Sequence, residues 1–321
     1  MKRALLWLLL LTLGGCAMHP PIVLPPDLQR QLPPRHELTR TPFFSQDAYQ
    51  CGPASLAMVM DYYGRDLKPQ QLTPWVFTPD AKGSFPAEMD AVARQQGFIS
   101  YPIDRFDDLL QEVAAGHPVL VLQNLGLSWY TRWHFAVVIG FDRQSRTLIL
   151  RSGDLARRQT GFDLFETTWA RSEHWARVIV PPDRLPATAQ ARPYLQAAAD
   201  LDQTGPESAA QQAFKTALSR WPSDPVARFG LASSLLKRNR FAAAQQQFET
   251  LLKQQPKMAS AWNNYAYALK GNHCPASALA AARCGAALAP ENPAIANSVQ
   301  ELSTTEQDEK HCHALTCPTT H

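Results

Sequence analysis

Residues 43–64 read FFSQDAYQCGPASLAMVMDYYG and place one cysteine, Cys51, at the start of an apolar helix. Gly52 lets the backbone pass close to the thiol. Pro53 suits the first turn of a helix, where the N–H that proline lacks would have had no partner. Residues 54–60 are apolar almost throughout, which predicts a buried helix with only its N-terminus near the surface. The free N–H groups and the dipole at that end favour a thiolate, the nucleophilic form of cysteine.

The glutamine upstream of this helix points to acyl-transfer chemistry. Gln46 lies five residues before Cys51, close enough for its side-chain amide to donate to the oxygen of a carbonyl that Cys51 attacks. Such a donor stabilises the oxyanion that forms in the reaction. The alternative is a buried structural cysteine that caps a core helix.

Length and composition suit a chain of two domains. The chain has 321 residues, of which 45% are apolar, and this is enough for well-formed cores. Its net charge of +3 is small, and no basic patch indicates nucleic acid. We therefore expect no nucleic-acid partner.

The N-terminus has the features of a secretion signal. Two basic residues precede the apolar run 4–13, which is too short to span a bilayer as a mature helix. The run ends in the sequence LGGC at 13–16, which resembles a bacterial lipobox. The resemblance implies that residues 1–15 are removed and that Cys16 is lipidated. The alternative is an ordinary secretory signal with a chance cysteine.

The residue after Cys16 bears on the destination of such a lipoprotein. In the rule for enteric-type bacteria, an aspartate there retains the protein at the inner membrane, whereas this chain has Ala17. The resemblance therefore implies a lipid anchor in the outer membrane, with the protein facing the periplasm. Cleavage leaves 29 basic against 28 acidic residues, a net charge of +1.

Residues 16–42 are rich in proline and poor in large apolar side chains, with seven prolines in this stretch. That composition predicts a semi-extended tether between the anchor and the first domain.

The stretch 43–182 alternates helical and strand patterns. Beyond the Cys51 helix, we predict helices at 67–71, 86–97 and 106–115 and strands at 98–103, 117–122, 134–140, 147–151 and 177–180. His134 begins its strand, where a polar ring can face a cleft. Trp129, Tyr130 and Trp133 precede it and either form the wall of a substrate groove or pack as core.

Together these motifs resemble a known family. Gln46, then CGPAS at 51–55, then His134-Phe135 on a strand, then an acid after the next strand are similar to the papain-like cysteine peptidases that remove double-glycine leaders from bacteriocin precursors. The resemblance covers residues 40–182. It implies an α+β papain-like domain with Cys51 as nucleophile, His134 as base and then acid, and Gln46 with backbone N–H groups as oxyanion donors.

The third member of the site departs from the family pattern. The family has Asp-Pro at the end of the strand after the histidine, whereas this chain reads Arg-Ser-Gly-Asp at 151–154. We choose Asp154 as the residue that orients His134. Ser152 is its competitor, and Asp142 is a weaker one. His117 and His174 are expected to be bystanders.

The C-terminal half shows an internal repeat. Pro222, Pro256 and Pro290 are each 34 residues apart, and alanines at 210, 244 and 278 share the period. The period resembles that of tetratricopeptide repeats, which implies an all-α solenoid over 190–300. Such a solenoid either binds a protein partner or is purely structural. We expect it to fold separately from the first domain.

The tail 301–321 is polar and is expected to be disordered. In an oxidising periplasm Cys274, Cys284, Cys312 and Cys317 can pair, but the sequence leaves the pairing open. The Cys and His spacing in the tail is too irregular for a metal site, and we expect no metal or cofactor.

Two classes of function remain open from the sequence. One is a periplasm-facing lipoprotein peptidase that cuts after Gly-Gly-like sequences. The other is a non-catalytic, peptidase-like protein that binds a peptide and recruits partners through its repeats.

Overall fold

The computed structural model describes residues 21–46, 49–303, 312 and 315–318. The predicted signal peptide and Cys16 lie outside the described residues. None of the helices within these ranges has the length and apolarity needed to cross a bilayer.

A seven-stranded antiparallel sheet forms the centre of the first domain. Six strands lie in the order β2-β7-β3-β4-β5-β6, and β1 pairs with the second half of β4. The strands are β1 (Arg35–Glu37), β2 (Ile99–Ile103), β3 (Val119–Asn124), β4 (Trp133–Asp142), β5 (Thr147–Ser152), β6 (Leu155–Gly161) and β7 (Ala176–Val180).

The helix of Cys51 packs on one face of this sheet. The first domain has helices α1 (Pro26–Gln31), α2 (Cys51–Tyr62), α3 (Pro69–Val76), α4 (Pro86–Gln95), α5 (Phe106–Ala114) and α6 (Phe162–Ala170). Residues 52–60 of α2 are all buried, against a sheet face that includes Phe135, Val137 and Ile139 of β4. The prediction of a buried helix with an accessible N-terminus is confirmed. The alternate residues Ala136 and Val138 pack into the core on the opposite face.

The sequence prediction missed β6 and α6. Six of the seven side chains of β6 are exposed and the seventh is only partly buried, so the strand shows no apolar alternation. Its backbone pairing with β5 at the edge of the sheet defines it.

The predicted tether is wrong for residues 21–42. Leu24, Leu28 and Leu32 are buried against the first domain, with Leu28 in α1 and the other two on either side of that helix. The prolines at 25 and 26 precede and begin α1 rather than keep the chain extended. The chain therefore joins the folded domain well before residue 43.

The C-terminal half consists of paired helices. They are α7 (Ala191–Thr204), α8 (Glu207–Arg220), α9 (Pro225–Lys237), α10 (Phe241–Gln254), α11 (Ala259–Gly271), α12 (Pro275–Leu288) and α13 (Pro293–Ser303). Their cores contain Phe214 and Phe248, which occupy equivalent places 34 residues apart. The predicted fold class, an α+β domain followed by an all-α solenoid, is confirmed.

The repeats share a continuous apolar core with the first domain, whereas the sequence predicts that they fold separately. One cluster of buried apolar residues runs from the sheet, through Val178, to Tyr194 of α7 and on into the repeats. The fully buried carboxylate of Glu112 accepts hydrogen bonds from Thr188 and from the N–H of Ala187, both in the linker before α7. Removing the first domain would expose this apolar face of α7 to water.

Two disulfides attach the described part of the tail to the repeats. Cys274 bonds Cys312, and Cys284 bonds Cys317, with Cα–Cα distances of 5.8 and 5.1 Å. The prediction of a disordered tail is wrong for these residues and for 301–303, which end α13. Cys274 caps the start of α12 and Cys284 lies ten residues further along it, a rise of about 15 Å, which is too far for the two to pair with each other.

Candidate active site

Three of the predicted site residues line one cleft. The cleft has a volume of about 1010 Å³, and Gln46, Cys51 and His134 are among its lining residues. That volume is at the upper end of the range for small-molecule pockets. It therefore leaves room for a peptide segment beside the cysteine.

Cys51 is the first residue of α2 and the free thiol among the described cysteines. The N–H groups of Cys51 and Gly52 have no acceptor within the helix, and both lie near the sulfur together with the N–H of Phe135. These donors favour the thiolate, but burial opposes it more strongly and raises the pKa of the Cys51 thiol. The prediction of a lowered pKa is therefore wrong for the unliganded site.

Gly52 is required by the loop that covers the start of α2. A side chain on residue 52 would overlap Ser84. Ser84 lies in the segment 77–86, whose bridge between Thr78 and Gly83 folds it over the cleft. The residues of this wall carry no periodic pattern, so the sequence alone does not predict its place beside Cys51.

Gln46 is held in place by three contacts. Its backbone N–H donates to the carbonyl of Gly153 at 3.1 Å, and its side-chain oxygen accepts from the N–H of Gly153 at 3.0 Å. Its amide nitrogen lies 3.3 Å from the hydroxyl of Ser55, one turn along α2 from Cys51. The Ser55 hydroxyl in turn donates to the carbonyl of Phe135. The amide donor of Gln46 is thus fixed between α2 and β4.

His134 has a hydroxyl partner rather than a carboxylate. Its Nε2 lies 2.8 Å from Oγ of Ser152, a side chain only 3% exposed. Asp154 is exposed and is not the partner of the ring, so our choice of Asp154 is corrected to Ser152. Asp142 lies at the far end of β4, where it accepts from the N–H groups of Gln144 and Ser145.

A tight turn explains why Ser152 meets the ring and Asp154 does not. Ser152 pairs with Leu155, so Gly153 and Asp154 form a two-residue connection between β5 and β6. Gly153 has a positive φ of 62°, which glycine adopts without steric cost. The turn leaves Asp154 in solvent and holds Gly153 against Gln46.

The surroundings of His134 keep its ring neutral. Burial, and then the charges of Arg158 and Arg132, lower its pKa to about 4. Because Nε2 of His134 is engaged with the hydroxyl of Ser152, Nδ1 is the ring nitrogen that can accept a proton from a reacting group. The described hydrogen bonds do not join His134 to Cys51, a contact that often tightens only when substrate binds. The resting pair at neutral pH is therefore a thiol and a neutral imidazole.

The two other histidines of the domain have structural contacts, as predicted for bystanders. His117 pairs with the buried Glu112 at 2.7 Å, and His174 pairs with Glu166 at 2.7 Å. Neither ring lines the cleft around Cys51.

Two of the three aromatic residues before His134 belong to the cleft wall, and none of the three belongs to the core. Tyr130 and Trp133 line the cleft and are 64% and 53% exposed. Trp129 lies beside them and projects further into solvent.

Comparison with known proteins supports the two-part architecture. Residues 38–174 match the peptidase C39-like family, and residues 207–269 match the tetratricopeptide repeat. A solved structure of a candidate C39-like peptidase from Bacillus anthracis aligns with 46% of this chain and 97% of its own length, at 17% sequence identity and a TM-score of 0.39. No curated protein matches the chain.

The family match covers Gln46, the helix α2 that begins at Cys51 and the strand β4 that carries His134, and the repeat match covers the paired helices from α8 to most of α11. The chain therefore carries a domain of the peptidase C39-like family followed by tetratricopeptide repeats.

Proposed function

We propose that the protein is a cysteine peptidase that hydrolyses a peptide bond through Cys51 and His134. The observation that carries the proposal is the convergence of Gln46, Cys51 and His134 on one cleft, with His134 held by Ser152. A structural cysteine would have no need of a fixed amide donor and an oriented imidazole beside it.

The arrangement suits general-base catalysis from a neutral pair. As the sulfur of Cys51 attacks the substrate carbonyl carbon, Nδ1 of His134 takes the thiol proton. The oxyanion receives hydrogen bonds from the Gln46 amide and from backbone N–H groups at the start of α2. His134 then gives its proton to the leaving amine, which leaves a thioester on Cys51. Water, deprotonated by the same ring, hydrolyses the thioester and releases the acid.

The substrate we propose is a peptide cut after small residues such as Gly-Gly. This rests on the resemblance to leader-removing peptidases and on a cleft large enough for a peptide segment. The test is incubation of the full chain with peptides that contain a Gly-Gly pair and with matched peptides in which that pair is Leu-Leu. Cleavage that appears with the native chain and disappears in Cys51→Ala supports the proposal. Cleavage that persists in Cys51→Ala, or no cleavage of any peptide, contradicts it.

A peptide-binding protein without catalysis is the second candidate. Two observations favour it: burial raises the pKa of Cys51, and a neutral serine stands where the family has an acid. This candidate predicts that Cys51→Ala binds peptides as well as the native chain does and that neither one cuts them.

We also propose that the protein is a lipoprotein of the bacterial outer membrane that faces the periplasm. The basic and apolar N-terminus, the LGGC sequence and Ala17 support this, and the two disulfides suit an oxidising compartment. Labelling of cells with a fatty-acid analogue should mark the native chain and not Cys16→Ser. Label on Cys16→Ser would contradict the proposal.

The repeats are proposed to bind a protein partner, because tetratricopeptide solenoids present extended surfaces for recognition. Their packing against the first domain supports a role in presenting that partner to the cleft. A pull-down with the native chain should retain a partner that is lost when exposed residues of the repeats are changed. Equal retention by such variants would contradict the proposal.

A further inference from the structure

We propose that the cleft selects peptides with an acidic side chain close to the scissile bond. The inference deepens the proposed function and rests on it. Two cations from different loops line the cleft around Cys51: Lys82 from the segment 77–86, and Arg132 from the loop that precedes β4. A third, Arg158, acts on His134 from the edge strand β6.

The charges of these cations are not neutralised by any ion pair among the described residues. Within the described chain, Lys82, Arg132 and Arg158 form no ion pair, whereas Arg157 binds Glu37 and Arg177 binds Asp90. A guanidinium left unpaired is ready to bind a carboxylate through two parallel hydrogen bonds.

The cleft itself supplies no compensating negative charge among its described lining residues. The nearest acids in the sequence with described positions, Asp80 and Asp154, are exposed and are not part of its lining. Positive charges in a recess concentrate their field on whatever enters it. The field therefore favours entry of an acidic peptide over a neutral or basic one.

The charges act close to the reacting atoms. Burial, and then the charges of Arg158 and Arg132, lower the pKa of His134, so both guanidinium charges act on the imidazole that serves as general base. Tyr130 and Trp133 add apolar surface to the same cleft. The fitting substrate is a peptide that carries an acidic residue and a large apolar residue close to the Gly-Gly pair after which it is cut.

Exposed aromatics and cations are also found on surfaces that bind anionic lipid. A peptide is favoured here because Lys82, Arg132, Tyr130 and Trp133 line the recess that holds Cys51.

The experiment uses the full chain with Cys51→Ala, so that bound peptides stay intact. It is immobilised and equilibrated with a random mixture of ten-residue peptides, and the retained peptides are identified by mass spectrometry. We expect Asp and Glu to be enriched about 5-fold or more, as befits one or two ion pairs in a cleft. The enrichment should fall in 0.5 M salt, which screens such charges.

The decisive variants remove the two lining cations. In a Lys82→Gln, Arg132→Gln background the enrichment should disappear, whereas the matched variant Lys215→Gln, Lys253→Gln, with two exposed cations changed on the repeats, should retain it. The inference is overturned if the cleft variant still enriches acidic peptides. It is also overturned if the Cys51→Ala chain shows no enrichment or binds no peptide. Binding of phosphatidylglycerol vesicles that depends on Lys82 and Arg132 without any peptide preference overturns the inference as well.

The peptide-retention experiment and the test of peptidase activity can fail separately. A native chain that cuts acidic and neutral peptides equally would overturn the acidic preference and leave the peptidase proposal intact. A chain that retains acidic peptides and cuts none would overturn only the peptidase proposal.

Discussion

Nε2 of His134 lies 2.8 Å from Oγ of Ser152, so a buried hydroxyl orients the imidazole of this site. A carboxylate at this position would stabilise an imidazolium and raise the pKa of the ring. The hydroxyl fixes the orientation of the ring without adding a charge. The cleft therefore holds an oriented but weakly basic imidazole beside a buried thiol.

Ser152→Ala should lower kcat/KM about 10-fold, because the ring loses the neutral hydrogen bond that orients it. Asp154→Asn is the matched control and should leave kcat/KM unchanged, since Asp154 is exposed in the turn. Steady-state cleavage of one peptide by both variants checks this. A loss in Asp154→Asn with none in Ser152→Ala would restore the original assignment.

The pH dependence of cleavage follows from the neutral ring. His134 acts as a base only when unprotonated, so activity should be fully present well above a pKa of about 4 and should be lost as the pH falls through it. The acid limb of kcat/KM against pH should therefore lie near 4. An acid limb near the 6.5 of an ordinary histidine would show that its surroundings do not depress the ring's pKa.

Alkylation of Cys51 gives a separate measure of the thiol. Because burial raises its pKa, iodoacetamide should react slowly at neutral pH and faster as the pH rises past the ~8.5 of a free thiol. Mass spectrometry of the labelled peptide against pH gives the apparent pKa. Rapid alkylation at pH 6 would instead indicate the thiolate that the sequence predicts.

Gln46→Ala should lower kcat on the order of 100-fold with little effect on KM, the result expected when one oxyanion donor is removed. Since the side-chain oxygen of Gln46 also binds the N–H of Gly153, Gln46→Glu is the matched control for this structural contact. Gln46→Glu keeps an oxygen that can accept from Gly153 but replaces the amide donor with a carboxylate oxygen. Its kcat should therefore be as low as that of Gln46→Ala or lower. Near-native activity in Gln46→Glu would exclude the oxyanion role.

The disulfides should stabilise the last repeat. They close loops of 38 and 33 residues, and each contributes about 2–4 kcal/mol in typical proteins. Thermal unfolding of the native chain should shift to lower temperature under a thiol reductant. Replacing all four bonded cysteines by serine should reproduce the shift, whereas Cys51→Ser should not. An unchanged Tm under reductant would contradict this.

Local pattern was enough to predict most elements of the first domain. The continuous apolar runs after Cys51 and at 119–122 predict buried elements, and the helical spacing at 86–97 predicts a helix, as the structure has them. The edge strand β6 was missed because its exposed side chains carry no such signal. The packing of residues 21–42 on the domain does not follow from composition, because proline suits both an extended tether and the start of a helix such as α1.

By itself, the sequence determined the two-part architecture, the placement of Cys51 at a helix start, the presence of Gln46 and His134, and the repeat of 34 residues, because each follows from spacing along the chain. Only the tertiary structure decided that Ser152 rather than Asp154 meets His134, that Cys274 and Cys284 bond the tail, and that burial outweighs the helix N-terminus at Cys51. These outcomes depend on where a turn directs a side chain and on how much water surrounds a charge. Neither quantity is a function of sequence spacing.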